Sequence, residues 1–109
     1  MDQINIYALI YPSEEGDYLC ATSYDILGQG RSFNDAKLSA ISVVVNYIDA
    51  YVSQKLPIPN SKVCKNLEEI TTYFSEYNPK NLEIIKEETV VEQLEDFPKL
   101  IFEFYRLKN

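Results

Sequence analysis

Residues 4–11 alternate in the way that a β-strand requires, because side chains two positions apart share a face of the sheet. Both faces are largely apolar, so the pattern predicts a helix over one face and a loop or a partner chain over the other. The two faces carry Ile4, Ile6, Ala8 and Ile10 on one side and Asn5, Tyr7, Leu9 and Tyr11 on the other.

Turn residues separate this strand from two further β-prone runs. Residues 12–17 contain Pro, Ser, two Glu and Gly, which predicts a hairpin connection with Gly16 at positive φ. Residues 18–22 return as a second strand. A third, short and irregular strand is expected around residues 27–31, where two glycines let the backbone bend or bulge.

A long helix is predicted over residues 33–54. Ser32 supplies an N-cap hydroxyl and Asp35 a carboxylate in the first turn, near the positive end of the helix dipole. The β-branched residues within 41–45 favour a strand by propensity alone, but a phased apolar stripe with a cap outweighs them. The prolines of residues 57–59 cannot continue the helix. The stripe consists of Ala36, Ala40, Ile41, Val44, Tyr47, Ile48 and Tyr51.

The pattern beyond residue 61 is less regular. A short second helix is predicted over about residues 67–77, from a capping pair at its start and an Asn-Pro sequence after it. Residues 80–96 fit either short strands or helix turns, and both remain open. Residues 100–107 form an aromatic, β-prone run that predicts a final strand. The helix face carries Leu67, Ile70, Phe74 and Tyr77, and the capping pair is Asn66 and Glu69.

Length and charge limit what such a chain can be. At 109 residues it suits one domain, 1–109, with one core. Seventeen acidic and ten basic residues give a net charge of −7, which repels nucleic-acid phosphates and favours a basic protein partner. No apolar run approaches the roughly 20 residues of a membrane span, and no secretory leader is visible, so we expect a cytoplasmic protein.

Residues with reactive side chains are sparse. Histidine is absent, which removes the usual general base near neutral pH and a common metal ligand. Cys20 and Cys64 are expected to be reduced core thiols. The Gly28-Gln29-Gly30 sequence superficially suggests a phosphate-binding loop, but it lacks the rest of any such fingerprint and favours turn geometry. We therefore expect no enzyme, no metal and no cofactor.

A residual metal-dependent nuclease is the enzymatic alternative. Glu14, Glu15, Asp17 and Asp25 could in principle gather around a divalent ion. A nuclease site of the ribonuclease H type needs several carboxylates projecting from strand centres, and only Glu103 lies within a predicted strand. The pattern therefore disfavours this alternative.

Several motifs in residues 1–61 together resemble the antitoxin domain of the HicB family. Besides the aromatic first strand they are Glu15-Gly16-Asp17-Tyr18, Gly28-Gln29-Gly30, Ser32-Phe33-Asn34-Asp35-Ala36 and Leu56-Pro57-Ile58-Pro59. The resemblance implies an α+β fold: a small, three- to four-stranded, mainly antiparallel sheet on one long helix, in the order βββαβ of a degenerate ribonuclease H fold. It implies a core of residues 4–61 plus a final strand at about 99–107. A variable insertion at about 62–98 would contain the additional short helix.

The same resemblance implies a function. Members of the family bind small basic ribonucleases of the HicA type and mask them, and many carry a C-terminal DNA-binding module, which we do not expect in this protein. We therefore expect an antitoxin-like protein, with a homodimer as its assembly and no direct contact with nucleic acid or membrane. The second hypothesis is a free-standing acidic inhibitor, possibly encoded by a phage, of a nucleic-acid-binding defence nuclease.

Two groups of residues are candidates for the partner-binding surface. Tyrosines beside carboxylates suit a docking edge, since Tyr supplies contact area and a hydroxyl, although the same tyrosines also fit a small core. An acidic stretch suits a basic partner or simply a solvated face. The docking edge comprises Tyr11, Glu14, Glu15, Asp17, Tyr18, Tyr24 and Asp25, and the acidic face comprises Glu83, Glu87, Glu88, Glu92, Glu95 and Asp96.

Overall fold

A computed structural model describes residues 3–61, 67–75, 82–91 and 97–107 of the chain. It has an α+β fold in which one mixed sheet packs against a long helix, as predicted. The elements in chain order are β1 (Gln3–Pro12), β2 (Tyr18–Thr22), β3 (Leu27–Gly30), α1 (Phe33–Ser53), α2 (Leu67–Tyr73), β4 (Leu82–Val91) and β5 (Lys99–Leu107).

The sheet has five strands in the order β3-β2-β1-β5-β4. β1 pairs in parallel with β5, with Ile6 opposite Phe102, and every other pairing is antiparallel. Four of the strands with α1 reproduce the predicted βββαβ order. The fifth strand, β4, exceeds the predicted three to four. It occupies most of the segment that the sequence pattern left open between strand and helix.

The helix α1 covers one face of the sheet. Its N-cap is Ser32, whose Oγ accepts a hydrogen bond from the Asp35 amide at 3.1 Å. The β-branched residues 41–45 lie within the helix, because the buried stripe and the cap outweigh strand propensity. The fully buried stripe residues are Ala36, Ala40, Val44 and Ile48, and they pack on Ile4, Ile6, Ala8, Ile10, Cys20, Leu100, Phe102 and Phe104.

The glycines of β3 are needed for close packing against α1, and not for the predicted bend or bulge in the strand. A Cβ added to Gly28 would lie 2.7 Å from the Ala40 Cα, and one added to Gly30 would collide with the backbone of Ala36. Neither glycine has a positive φ; Gly16, at φ 92°, does, as predicted for its hairpin. Gly28 and Gly30 therefore let α1 approach β3 closely, and bending or a turn is not what requires them.

The helix α2 covers part of the opposite face. Ile70 and Phe74 are buried against Leu9, Ala21 and Tyr105. The predicted helix over one face of β1 is present, but α2, and not the predicted loop or partner chain, covers part of the other face. The second helix is predicted from the same two buried residues, while its proposed cap at Asn66 and its face residue Tyr77 lie outside the described residues.

Candidate functional site

The connection between β1 and β2 carries exposed carboxylates. Glu14 and Glu15 are exposed in this turn. The turn is closed by a hydrogen bond from the Ser13 amide to the Asp17 carbonyl at 2.7 Å. The Asp17 carboxylate accepts a hydrogen bond from Gln29 Nε2 at 3.2 Å. Asp17 therefore braces the turn against β3, and Glu14 and Glu15 are the carboxylates here that a partner can reach.

The two tyrosines beside this turn pack on opposite faces of the sheet. Tyr18 belongs to the face covered by α1, where its ring meets Phe33 edge-on at 6.4 Å between centroids. Tyr11 packs against the cluster on the α2 face. Both side chains are half-buried, so each contributes to a core.

Tyr24 and Asp25 lie in the turn between β2 and β3. The Tyr24 hydroxyl donates to the Pro59 carbonyl at 2.9 Å, and its ring stacks at a tilt on Tyr47 at 5.4 Å. Burial, with the nearby Tyr47, raises the pKa of Tyr24 to about 12, so the phenol stays neutral at physiological pH. Asp25 has a φ of 60° and accepts a hydrogen bond from the Tyr73 hydroxyl at 2.8 Å.

The structure divides the candidate docking edge into two groups. The turn with Glu14, Glu15 and Asp17 lies at one end of β2, and the turn with Tyr24 and Asp25 lies at the other. Residues 18–22 separate them by roughly 13 Å at about 3.3 Å per residue. Five of the seven candidates therefore lie at two turns, one at each end of β2, and not in one loop. Partner binding at either turn stays a prediction.

The same separation bears on the nuclease alternative. Asp25 cannot meet Glu14, Glu15 and Asp17 at one ion, because these carboxylates occupy the two opposite ends of β2. Within the described residues no group of three or more potential metal ligands comes together.

The Cys20 thiol lies in the core between the sheet and α1 and has no exposed surface. Burial raises its pKa from 9.0 to about 12, which suppresses the nucleophilic thiolate. The prediction of a core thiol is confirmed for Cys20, and Cys64 lies outside the described residues.

The candidate acidic face falls partly on β4. Glu83, Glu87 and Glu88 belong to this strand, which is an edge of the sheet. The register sets Glu83 opposite Arg106 and Glu88 opposite Glu103, with an irregularity between residues 84 and 88. The remaining acidic candidates, Glu92, Glu95 and Asp96, lie outside the described residues.

A hydrogen-bonded cluster of hydroxyl groups supports the turn between β2 and β3, and the sequence gives no sign of it. The Ser23 Oγ accepts from the Tyr7 amide at 3.0 Å and lies 2.6 Å from the Ser61 Oγ. These residues are far apart in the chain and show no shared periodicity. The contact between Ser23 and Ser61 depends on the path of the chain after α1. The prolines of residues 57–59 end the helix but do not determine that path.

A groove opens on the sheet face opposite α1, beside α2. It has a volume of about 290 Å³ and is lined by Gln3, Asn5, Ile6, Tyr7, Ile101 and Glu103. Glu103, the carboxylate that the sequence places within a strand, is half-buried there. Sequence reasoning did not find the groove, because it arises where two strands distant in the chain pair in parallel.

Comparison of the chain with protein-family models, curated proteins and solved structures finds no match. Neither helix in the described part of the chain has the length and hydropathy that a bilayer crossing needs.

Proposed function

We propose that this protein is an antitoxin-like inhibitor that binds a small basic ribonuclease and masks it by steric and electrostatic occlusion. The observation that carries the proposal is the combination of a net charge of −7 with a βββαβ sheet-and-helix core. The fold is what the resemblance to the HicB family implies, and the charge suits the basic ribonucleases that members of that family bind. The proposal places the pair in the cytoplasm.

The negative net charge favours binding to a basic protein and disfavours binding to nucleic acid. An acidic surface raises the rate at which a basic protein arrives, and this steering weakens as salt screens it. It also repels RNA, which a basic ribonuclease must attract. A protein of this charge therefore competes with RNA for the same positive surface.

An inhibitor that acts by occlusion needs a surface that covers its target, and it needs no catalytic residues. Two side chains with reactive groups are engaged in the fold: Cys20 is buried with a raised pKa, and Tyr24 donates a hydrogen bond to the Pro59 carbonyl. The exposed Glu14 and Glu15 suit the rim of an interface, where charges affect association rate more than affinity. The proposed inhibitor acts by stoichiometric binding, and the expected assembly is a homodimer carrying one ribonuclease on each copy.

Binding to the product of the neighbouring reading frame tests the proposal. Calorimetry of the two purified proteins should give a saturable complex, and light scattering should give its stoichiometry. Raising the salt from 50 to about 500 mM should slow association about tenfold or more. Absence of a complex with that product, and with a panel of small basic ribonucleases, rejects the function.

Two matched variants separate local from overall charge. The double change Glu14→Gln and Glu15→Gln should slow association about tenfold, since it removes two exposed carboxylates from one turn. The double change Asp49→Asn and Glu68→Gln removes two exposed carboxylates from the helices α1 and α2 and should slow association less than twofold. Equal effects of the two variants assign the steering to net charge and not to this turn.

The net charge also supports a second candidate, inhibition of a larger defence nuclease at its nucleic-acid channel. Such a nuclease presents an extended positive surface to DNA. Competition with double-stranded DNA for the nuclease favours this candidate. Inhibition of a small ribonuclease that DNA leaves unaffected favours the first.

A further inference from the structure

Half of the sheet face opposite α1 lies beyond α2. The α2 helix packs on Leu9, Ala21 and Tyr105, toward the C-terminal ends of the parallel strands β1 and β5. The N-terminal half of the same face forms the groove described above. The parallel register sets Asn5 opposite Ile101 and Tyr7 opposite Glu103, so these residues stand side by side along the groove.

The groove holds a carboxylate at the centre of a sheet. Glu103 lies midway along β5 and is half-buried. Within the described residues, its carboxylate makes no ion pair and no side-chain hydrogen bond. A carboxylate that is partly removed from water is stabilised by a cationic ligand that accepts its charge and its hydrogen bonds.

The other lining groups suit a planar cation. Gln3 Nε2 donates to Asn5 Oδ1 at 3.1 Å, which holds the two carboxamides together at the rim. Carboxamide oxygens accept hydrogen bonds, as the Glu103 carboxylate does. A guanidinium group presents five donors in one plane and binds a carboxylate through two parallel hydrogen bonds. The ammonium group of lysine is not planar and cannot form the two parallel hydrogen bonds to a carboxylate.

The size of the groove restricts the ligand. Pockets for drug-sized molecules and cofactors have volumes of about 300–1,000 Å³, and this groove, at about 290 Å³ and open to solvent, is at the lower limit. A single long side chain fits that volume, whereas a nucleotide would bring negatively charged phosphates to Glu103.

We propose that this groove binds an arginine side chain of the basic partner protein, with the Glu103 carboxylate accepting hydrogen bonds from the guanidinium. The inference rests on the proposed function, because it takes a basic protein as the partner. It adds the position of one contact, on the sheet face opposite α1. This contact lies away from both turns that the sequence suggested for docking.

Titration with argininamide tests the groove without the partner. Amide resonances of Tyr7, Ile101 and Glu103 should shift together in ¹⁵N-correlated spectra as argininamide rises to about 100 mM. Citrullinamide, which has the same shape and no positive charge on its side chain, should move them at least fivefold less. Glu103→Gln, which preserves volume, should abolish the difference between the two ligands while leaving the remaining spectrum folded.

The partner complex supplies the second readout. Glu103→Gln should weaken binding of the basic ribonuclease at least tenfold, whereas Asp49→Asn should change it less than twofold. Equal responses to argininamide and citrullinamide, or a complex of unchanged affinity for Glu103→Gln, overturn the groove assignment and leave the proposed function intact. Failure of the unaltered protein to bind any basic ribonuclease rejects the proposed function and with it this assignment.

Discussion

The Tyr73 hydroxyl donates a 2.8 Å hydrogen bond to Oδ1 of Asp25, across 48 residues of chain. It joins the end of α2 to the turn between β2 and β3. The same hydroxyl lies 3.4 Å from the Thr22 carbonyl, so Tyr73 contacts both sides of the turn. Asp25 adopts a positive φ of 60°, a conformation that Asp tolerates better than most residues. The turn thus depends on a helix from the second half of the chain.

Tyr73→Phe should lower the free energy of unfolding by about 1 kcal/mol, because it removes one hydrogen bond and keeps the ring. Tyr18→Phe is the matched control, since the Tyr18 hydroxyl makes no hydrogen bond within the described residues. It should change stability by less than about 0.5 kcal/mol. Urea denaturation measures both. Equal effects of the two variants would show that the Tyr73 bond contributes nothing specific.

Gly28→Ala should destabilise the protein by about 3 kcal/mol or more, because the new methyl group meets the α1 backbone at Ala40 and no side-chain rotation relieves the contact. Gly16→Ala meets no atom within 4 Å. Its cost arises from the φ of 92° alone and should be about 1 kcal/mol. Thermal melts compare the two variants. A Gly28→Ala protein as stable as Gly16→Ala would refute the close approach of α1 to β3.

Cys20 should resist alkylation in the native state. In a Cys64→Ser background, iodoacetamide at pH 8 should leave the native protein unmodified for hours and label it rapidly in 8 M urea, because burial raises the pKa of Cys20 to about 12. Mass spectrometry follows the labelling. Equal rates in the native and unfolded protein would contradict the burial.

The raised pKa of Cys20 also predicts that the folded protein loses stability at alkaline pH. The pKa of Cys20 is about 12 in the folded protein against 9.0 ordinarily, so between these values the unfolded chain loses a proton that the native chain keeps. The stabilisation is complete below pH 9 and declines as the pH rises toward 12. Urea midpoints measured from pH 8 to 11 should fall less steeply for Cys20→Ala, and parallel profiles would contradict the assignment.

The elements that the sequence predicts are those with a regular local pattern. β1 is a β-prone run with an alternating apolar face and a second, largely apolar face, and α1 combines the Ser32 cap with a stripe at the helical period. Both signals lie within one segment and need no distant partner. For this reason the residues 41–45 are predicted correctly as helix although their β-branched side chains favour a strand.

The features that sequence reasoning missed depend on pairing between distant segments. β4 becomes a strand beside β5, while its own residues are equally compatible with helix turns. The reason for Gly28 appears only when α1 lies on β3. The candidate docking residues are close in sequence, and the separation of their two turns along β2 appears only in the sheet. The groove at Glu103 requires the parallel pairing of β1 with β5.

Titration of RNA cleavage tests the proposed masking most directly. A fixed amount of a small basic ribonuclease, either the product of the neighbouring reading frame or one from the panel, is mixed with rising amounts of this protein, and cleavage of a labelled RNA is followed. Cleavage should fall linearly and stop at a fixed molar ratio, as stoichiometric occlusion requires. Undiminished cleavage at tenfold excess of this protein, or RNA cleavage by this protein alone, would contradict the account.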